Sequence, residues 1–91
     1  MTDIKSRVII SDQVMFRDLG DEMVLLNIET GKYFGLDDVG ARLWALLEEH
    51  GSLDLAFQTL LGEYEVSEHQ LQADLIRLVD ELAAQQLLVV A

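Results

Sequence analysis

The side chains able to do chemistry in this 91-residue chain are mostly carboxylates, joined by two histidines and a few hydroxyls; cysteine is absent. Thiolate nucleophiles, thiolate metal sites and disulfides are therefore excluded. His50 and His69 fall at a predicted helix end and in a predicted first turn. Neither has a second ligand at metal spacing. The acidic groups Asp18-Asp21-Glu22, Asp37-Asp38 and Glu48-Glu49 lack the alternating oxygens and the glycine of a calcium loop. Gly31-Lys32 suggests a phosphate loop, but Tyr33 stands where Ser or Thr is required and Leu26 where the first glycine belongs. No nucleophile, base and orienter can be named together. The expectation is a protein that is not an enzyme, with no catalytic residue, metal or cofactor.

Charge narrows the partners. Seventeen acidic residues against six basic give a formal net charge of −11. The cations Lys5, Arg7, Arg17, Lys32, Arg42 and Arg77 are scattered rather than gathered into a stripe. A phosphate backbone would be repelled, so nucleic acid is not expected as a partner. No segment is long and apolar enough for a signal peptide or a bilayer span, so no membrane partner is expected either. Absence of cysteine fits a reducing cytoplasm. Half the residues are hydrophobic, ample for one core in a chain of this length.

The elements that must position any site follow from periodicity. Residues 1–13 are read as an N-terminal arm, partly ordered, with Val8-Ile9-Ile10 either a short strand or an arm lying on the domain. Residues 14–91 are read as a single domain. Val14 to Arg17, the turn signal Leu19-Gly20-Asp21, and Met23 to Leu26 form a hairpin. Glu29-Thr30-Gly31 reads as a three-residue loop with its glycine in the left-handed conformation. It leads into Tyr33-Phe34-Gly35-Leu36. This loop pairs Ile28 with Lys32, Leu26 with Phe34 and Val24 with Leu36. Alternation then places Val24, Leu26, Phe34 and Leu36 on the core face. Met23, Leu25, Asn27, Tyr33 and Gly35 share a second face, apolar enough to need cover by the Val8–Ile10 arm or by a partner. The register of the first hairpin is ambiguous by one residue, so Val14 and Phe16 are left unassigned.

Helices follow. Asp37 or Asp38 caps the first, which carries Val39, Leu43, Leu46 and Leu47 at helical spacing with Trp44 as a core residue, and Gly51 ends it. Ser52 caps a second helix with Leu55, Phe57, Leu60 and Leu61, stopped at Gly62. Ser67-Glu68-His69-Gln70 reads as a capping box opening the longest helix, striped by Leu71, Leu75, Leu78 and Leu82. Leu87 to Val90 reads as an extra strand. The expected fold is α+β and winged-helix-like: a three-stranded antiparallel sheet at the N-terminus, then three helices. In such an order Lys32 to Leu36 is a sheet edge, protected by a single lysine, and an open edge offers its N–H and C=O groups to an extended peptide.

These residues also carry a resemblance. "VLLNIETGKYFGLDDVGARLWALL", Val24 to Leu47, resembles the signature of the PqqD-like family, and "YEVSEHQLQADLIRLVDELAAQQLL", Tyr64 to Leu88, resembles that family's ending. The likeness covers roughly residues 14 to 90. It implies a recognition element for ribosomally made precursor peptides, one that captures the leader as an extra strand and presents the peptide to tailoring enzymes. By resemblance, Lys32, Tyr33, Phe34, Gly35 and Leu36 form the receiving strand, and Leu71, Asp74, Leu75, Arg77 and Leu78 form the helix side of the groove. The free-standing form with a Gly-Lys-Tyr-Phe strand is most similar to proteins of lasso-peptide clusters. The implied partners there are the precursor's leader peptide, a leader peptidase and an ATP-dependent cyclase. The alternative reading is a winged-helix regulator or adaptor that binds a folded protein.

Overall fold

Alternating apolar residues in the first third of the chain build an antiparallel sheet of three strands, β2 (Val14–Asp18), β3 (Met23–Asn27) and β4 (Tyr33–Leu36), in that spatial order. The computed structural model describes residues 2–20 and 22–91, so Asp21 of the predicted first turn lies outside the described residues. Three helices follow: α1 (Asp38–His50), α2 (Leu53–Glu63) and α3 (Glu68–Ala84). A second, two-stranded sheet joins β1 (Val8–Ile10) to β5 (Leu88–Val90), with Val8 opposite Val90 and Ile10 opposite Leu88. The α+β layout expected from the sequence is the one observed.

The register of the second hairpin differs from the expectation by one residue. Leu26 lies opposite Tyr33, Leu25 opposite Phe34, Val24 opposite Gly35 and Met23 opposite Leu36. The cause is Asn27. Its Oδ1 accepts the N–H groups of Glu29 (3.0 Å) and Thr30 (3.2 Å), so the turn begins one residue early. The Asn27 N–H donates to the Lys32 carbonyl at 2.9 Å, and Gly31, at φ 74, closes the longer loop by donating to the Asn27 carbonyl. The core face is therefore Met23, Leu25 and Asn27 with Phe34 and Leu36. Val24, Leu26, Tyr33 and Gly35 lie on the other face, and a one-residue slip exchanges the two sets. In the first hairpin Met15 pairs with Leu26 and Phe16 with Leu25, so Met15 joins the outer face.

Each helix starts on a side-chain cap. Asp37 Oδ1 accepts the Gly40 N–H at 2.8 Å, and the Ser52 and Ser67 hydroxyls accept from Leu55 and Gln70. Only half of the predicted capping box is present: the Gln70 side chain turns onward to donate to Asp74 Oδ1 at 2.9 Å rather than back to accept the Ser67 N–H. Gly51, at φ 64, ends α1, while α2 runs through Gly62 to Glu63. The buried stripes of the helices (Leu43, Trp44 and Leu47; Leu53, Phe57 and Leu60; Leu71, Leu75, Val79 and Leu82) meet Leu25 and Leu36 of the sheet in one core. Trp44, 1% exposed, lies within it.

β1 does not cover the sheet. Its Val8 N–H donates to the Gly51 carbonyl at 2.9 Å, and the Ala91 N–H donates to the Arg7 carbonyl at 2.8 Å, so the segment is stitched to the α1–α2 turn and to the end of the chain. Among the described residues, nothing packs over the exposed Tyr33 ring on the outer face of the three-stranded sheet. No helix among the described residues is long and apolar enough to cross a membrane.

Candidate functional site

β4 has β3 on one side and, among the described residues, no strand on the other. Because Asn27 and Lys32 are a hydrogen-bonded pair, antiparallel alternation makes Leu25 and Phe34 the next one. Leu26–Tyr33 and Val24–Gly35 are then the non-bonded pairs, so the N–H and C=O groups of Tyr33 and Gly35 point away from the sheet. The slip in register leaves this parity unchanged, because Lys32 remains the bonded residue and only its partner differs.

Beside that edge runs a cleft of about 490 Å³. Its first wall is Phe34, Gly35 and Leu36, continuing through Asp37, Val39 and Gly40 into α1. Opposite stand Leu71, Asp74, Leu75, Arg77 and Leu78 on α3, with Gln70, Glu81 and Val66 at the margins. The volume falls within the roughly 300–1,000 Å³ of ordinary ligand clefts. Leucines supply most of the depth and polar groups the rim, and the rim is ordered. Asp74 Oδ1 accepts from Gln70 Nε2 at 2.9 Å and from Arg77 Nη2 at 3.2 Å, a chain along one face of α3. Arg77 remains largely exposed. Gly40 permits the close packing at the end of β4, since a Cβ there would stand 3.1 Å from Leu36 Cδ2 and 3.3 Å from Asp37 Oδ1.

Of the residues assigned from the sequence, the structure brings Phe34, Gly35, Leu36, Leu71, Asp74, Leu75, Arg77 and Leu78 around this cleft. Lys32 and Tyr33 do not line it. Lys32 is exposed at the start of β4, and the Tyr33 ring, 72% exposed, lies on the outer sheet face. Tyr33 faces the cleft edge only through its main chain. Sequence reasoning missed Gln70 and Glu81, which the helical period could have added, being four residues before Asp74 and three after Leu78. Val66 lies between helices and carries no periodic signal.

A second depression, of about 520 Å³, is lined by Met15, Arg17, Val24, Leu26 and Tyr33 of the outer face, with Phe16 and Leu19 at its border. Met15 is 58% and Phe16 55% exposed. It adjoins the cleft across the width of β4.

A small α+β domain with an unpaired strand edge facing a leucine-lined helix has the geometry of a peptide-capturing module. The chain belongs to the PqqD family: the family described as Coenzyme PQQ synthesis protein D matches residues 22–88. Two solved structures share the fold. One is TbiB1 in complex with the TbiA(beta) leader peptide, 42% identical, covering 87% of this chain and 92% of that one with a TM-score of 0.81. The other is a lasso peptide synthetase B1 complexed with the leader peptide, 25% identical, covering 91% and 98% of the two chains, also with a TM-score of 0.81. No curated protein matches the chain significantly.

Proposed function

We propose that this protein is a non-catalytic recognition element that binds the leader of a ribosomally synthesised precursor peptide as an added strand on β4. It holds that peptide for maturation enzymes of the lasso-peptide type, a leader peptidase and an ATP-dependent cyclase. The observation that carries the reading is the outward-pointing main chain of Tyr33 and Gly35 beside the leucine-lined cleft. The likeness to two leader-bound proteins supports it. Main-chain bonds along an edge hold a peptide with little demand on its sequence, and the pockets beside the edge select alternate side chains. A disordered leader gives up about 2–5 kcal/mol on ordering, and a micromolar complex retains about 8 kcal/mol net. The strand and its cleft together must therefore supply about 10–13 kcal/mol before that loss.

A bound leader would lengthen the sheet and extend its outer face beyond Tyr33. We assign that face, open and apolar through Met15, Val24 and Leu26, to the enzyme that receives the peptide. The net charge of −11 would draw basic groups on the leader or enzyme, mainly through the rate of encounter. Anisotropy titration of a labelled leader, with mass spectrometry of the recovered peptide, tests the reading. Saturable binding with unchanged peptide mass is expected. Absence of binding, or cleavage by the purified protein alone, would overturn it.

A further inference from the structure

One polar side chain is sunk in the core beneath the hairpin and is fully used. Asn27 is 2% exposed. Its Oδ1 takes the Glu29 and Thr30 N–H groups, and its Nδ2 donates to the carbonyls of Gln85 and Gln86, both at 3.2 Å. Gln85 and Gln86 follow α3 directly, and Gln86 holds the left-handed conformation at φ 60, unusual for a residue with a side chain. The Asn27 main chain is bonded to Lys32, the residue before β4. One amide thus grips the turn that launches β4 and the turn that ends α3, the two elements that wall the cleft.

We propose that Asn27 is the positioning residue of this cleft: it fixes how far the β4 edge stands from α3 without touching the peptide. An incoming strand must sit about 4.8 Å from β4 while its side chains reach α3. Binding geometry of this kind tolerates errors of about 0.5 Å. A leucine would fill the same space but join nothing. Aspartate keeps the oxygen that starts the turn but has no N–H, and it sets a second oxygen against two carbonyls. The task needs an acceptor on one side and a donor on the other, which the asparagine amide provides. A buried amide is tolerated here because every bond it can make to these two turns is made.

The consequence for binding rests on the leader-recognition reading; the geometric content does not. The test therefore has two readouts. Spin labels at Lys32→Cys and Ala73→Cys, on a background without cysteine, report the β4–α3 spacing in the unbound protein. Labelled TbiA(beta) leader peptide reports affinity in the unlabelled protein. Asn27→Asp should shift and broaden the distance distribution and weaken peptide binding at least tenfold. Phe57→Leu, a core change in α2 remote from the cleft, should destabilise the fold yet leave both readouts as in the parent. An unchanged distance distribution in Asn27→Asp, or a shifted one with unchanged peptide affinity, overturns the proposal. A shifted distribution in a protein whose parent does not bind the peptide supports the positioning role and counts against the leader reading instead. If Asn27→Asp does not fold, the pair of measurements is repeated in a Gln86→Gly background, where the strained turn is relieved. Failure to fold there as well would reduce Asn27 to a purely structural residue and refute the proposal.

Discussion

Proline at Tyr33 separates main-chain capture from side-chain packing. The Tyr33 N–H points outward from the β4 edge, so proline there removes a donor offered to a peptide while sparing the β3–β4 ladder. Tyr33 is the first residue of its strand, where proline is tolerated. The restriction proline places on the preceding residue falls on Lys32, just outside the strand. Tyr33→Ala controls for loss of the ring. The missing bond itself contributes about 0.5–1.5 kcal/mol, and the peptide carbonyl left facing the proline ring adds about 1–3 kcal/mol of lost solvation. We expect Tyr33→Pro to bind a labelled leader at least tenfold more weakly than Tyr33→Ala, about 1.4 kcal/mol. Circular dichroism should show both folded. Phe34→Pro is the opposite case: it breaks the bonded pair with Leu25, a fully buried residue, and should unfold the domain. A folded Tyr33→Pro that binds as tightly as Tyr33→Ala would refute strand addition at this position.

Three further outcomes follow from the packing. Trp44 should emit at blue-shifted wavelengths in the native protein, and Trp44→Ala should cost about 3–5 kcal/mol in a urea titration; water-like native emission would contradict its place in the core. Gln86→Gly should raise stability by about 1 kcal/mol by removing left-handed strain, and a loss of stability would mean that the Gln86 side chain holds the turn. The Arg42 guanidinium, bonded to Glu63 at 2.7 and 3.0 Å, holds that carboxyl below the usual glutamate range. Its contribution is present above the ordinary glutamate pKa and is lost as pH falls through the lowered value. The melting temperature of Glu63→Gln should therefore fall less steeply between pH 5 and pH 3 than that of the parent, and equal slopes would show that the pair does not stabilise the folded protein.

Much of the fold was legible because its signals are local. Asp37, Ser52 and Ser67 mark three helix starts, Gly51 marks an end, and the leucine spacing of α3 names most of its buried stripe, with Val79 buried in place of the half-buried Leu78. The hairpin register was not legible from loop glycine alone. Asn27 begins the turn with its own side chain, and that same side chain is buried because it also reaches Gln86, a contact 59 residues away that no local pattern announces. Pairing of Val8–Ile10 with Leu88–Val90 was hidden for the same reason: the first run reads as a strand or an arm and the second as an extra strand, but nothing near either one names its partner. For the site, the order of the elements identified an edge, but period-two alternation gave Tyr33 the wrong neighbours. Its ring belongs with Met15 and Leu26 on the outer face, leaving only its main chain at the cleft.

Amide hydrogen exchange of β4, read residue by residue with and without a leader peptide, tests whether the peptide adds to this edge as a strand. In the unbound protein the Phe34 amide should be protected by its bond to Leu25, and those of Tyr33 and Gly35 should exchange quickly. On saturation with leader, Tyr33 and Gly35 should become protected while Phe34 changes little. A leader that binds yet leaves both amides exchanging as before would contradict capture of the peptide as a strand on this edge.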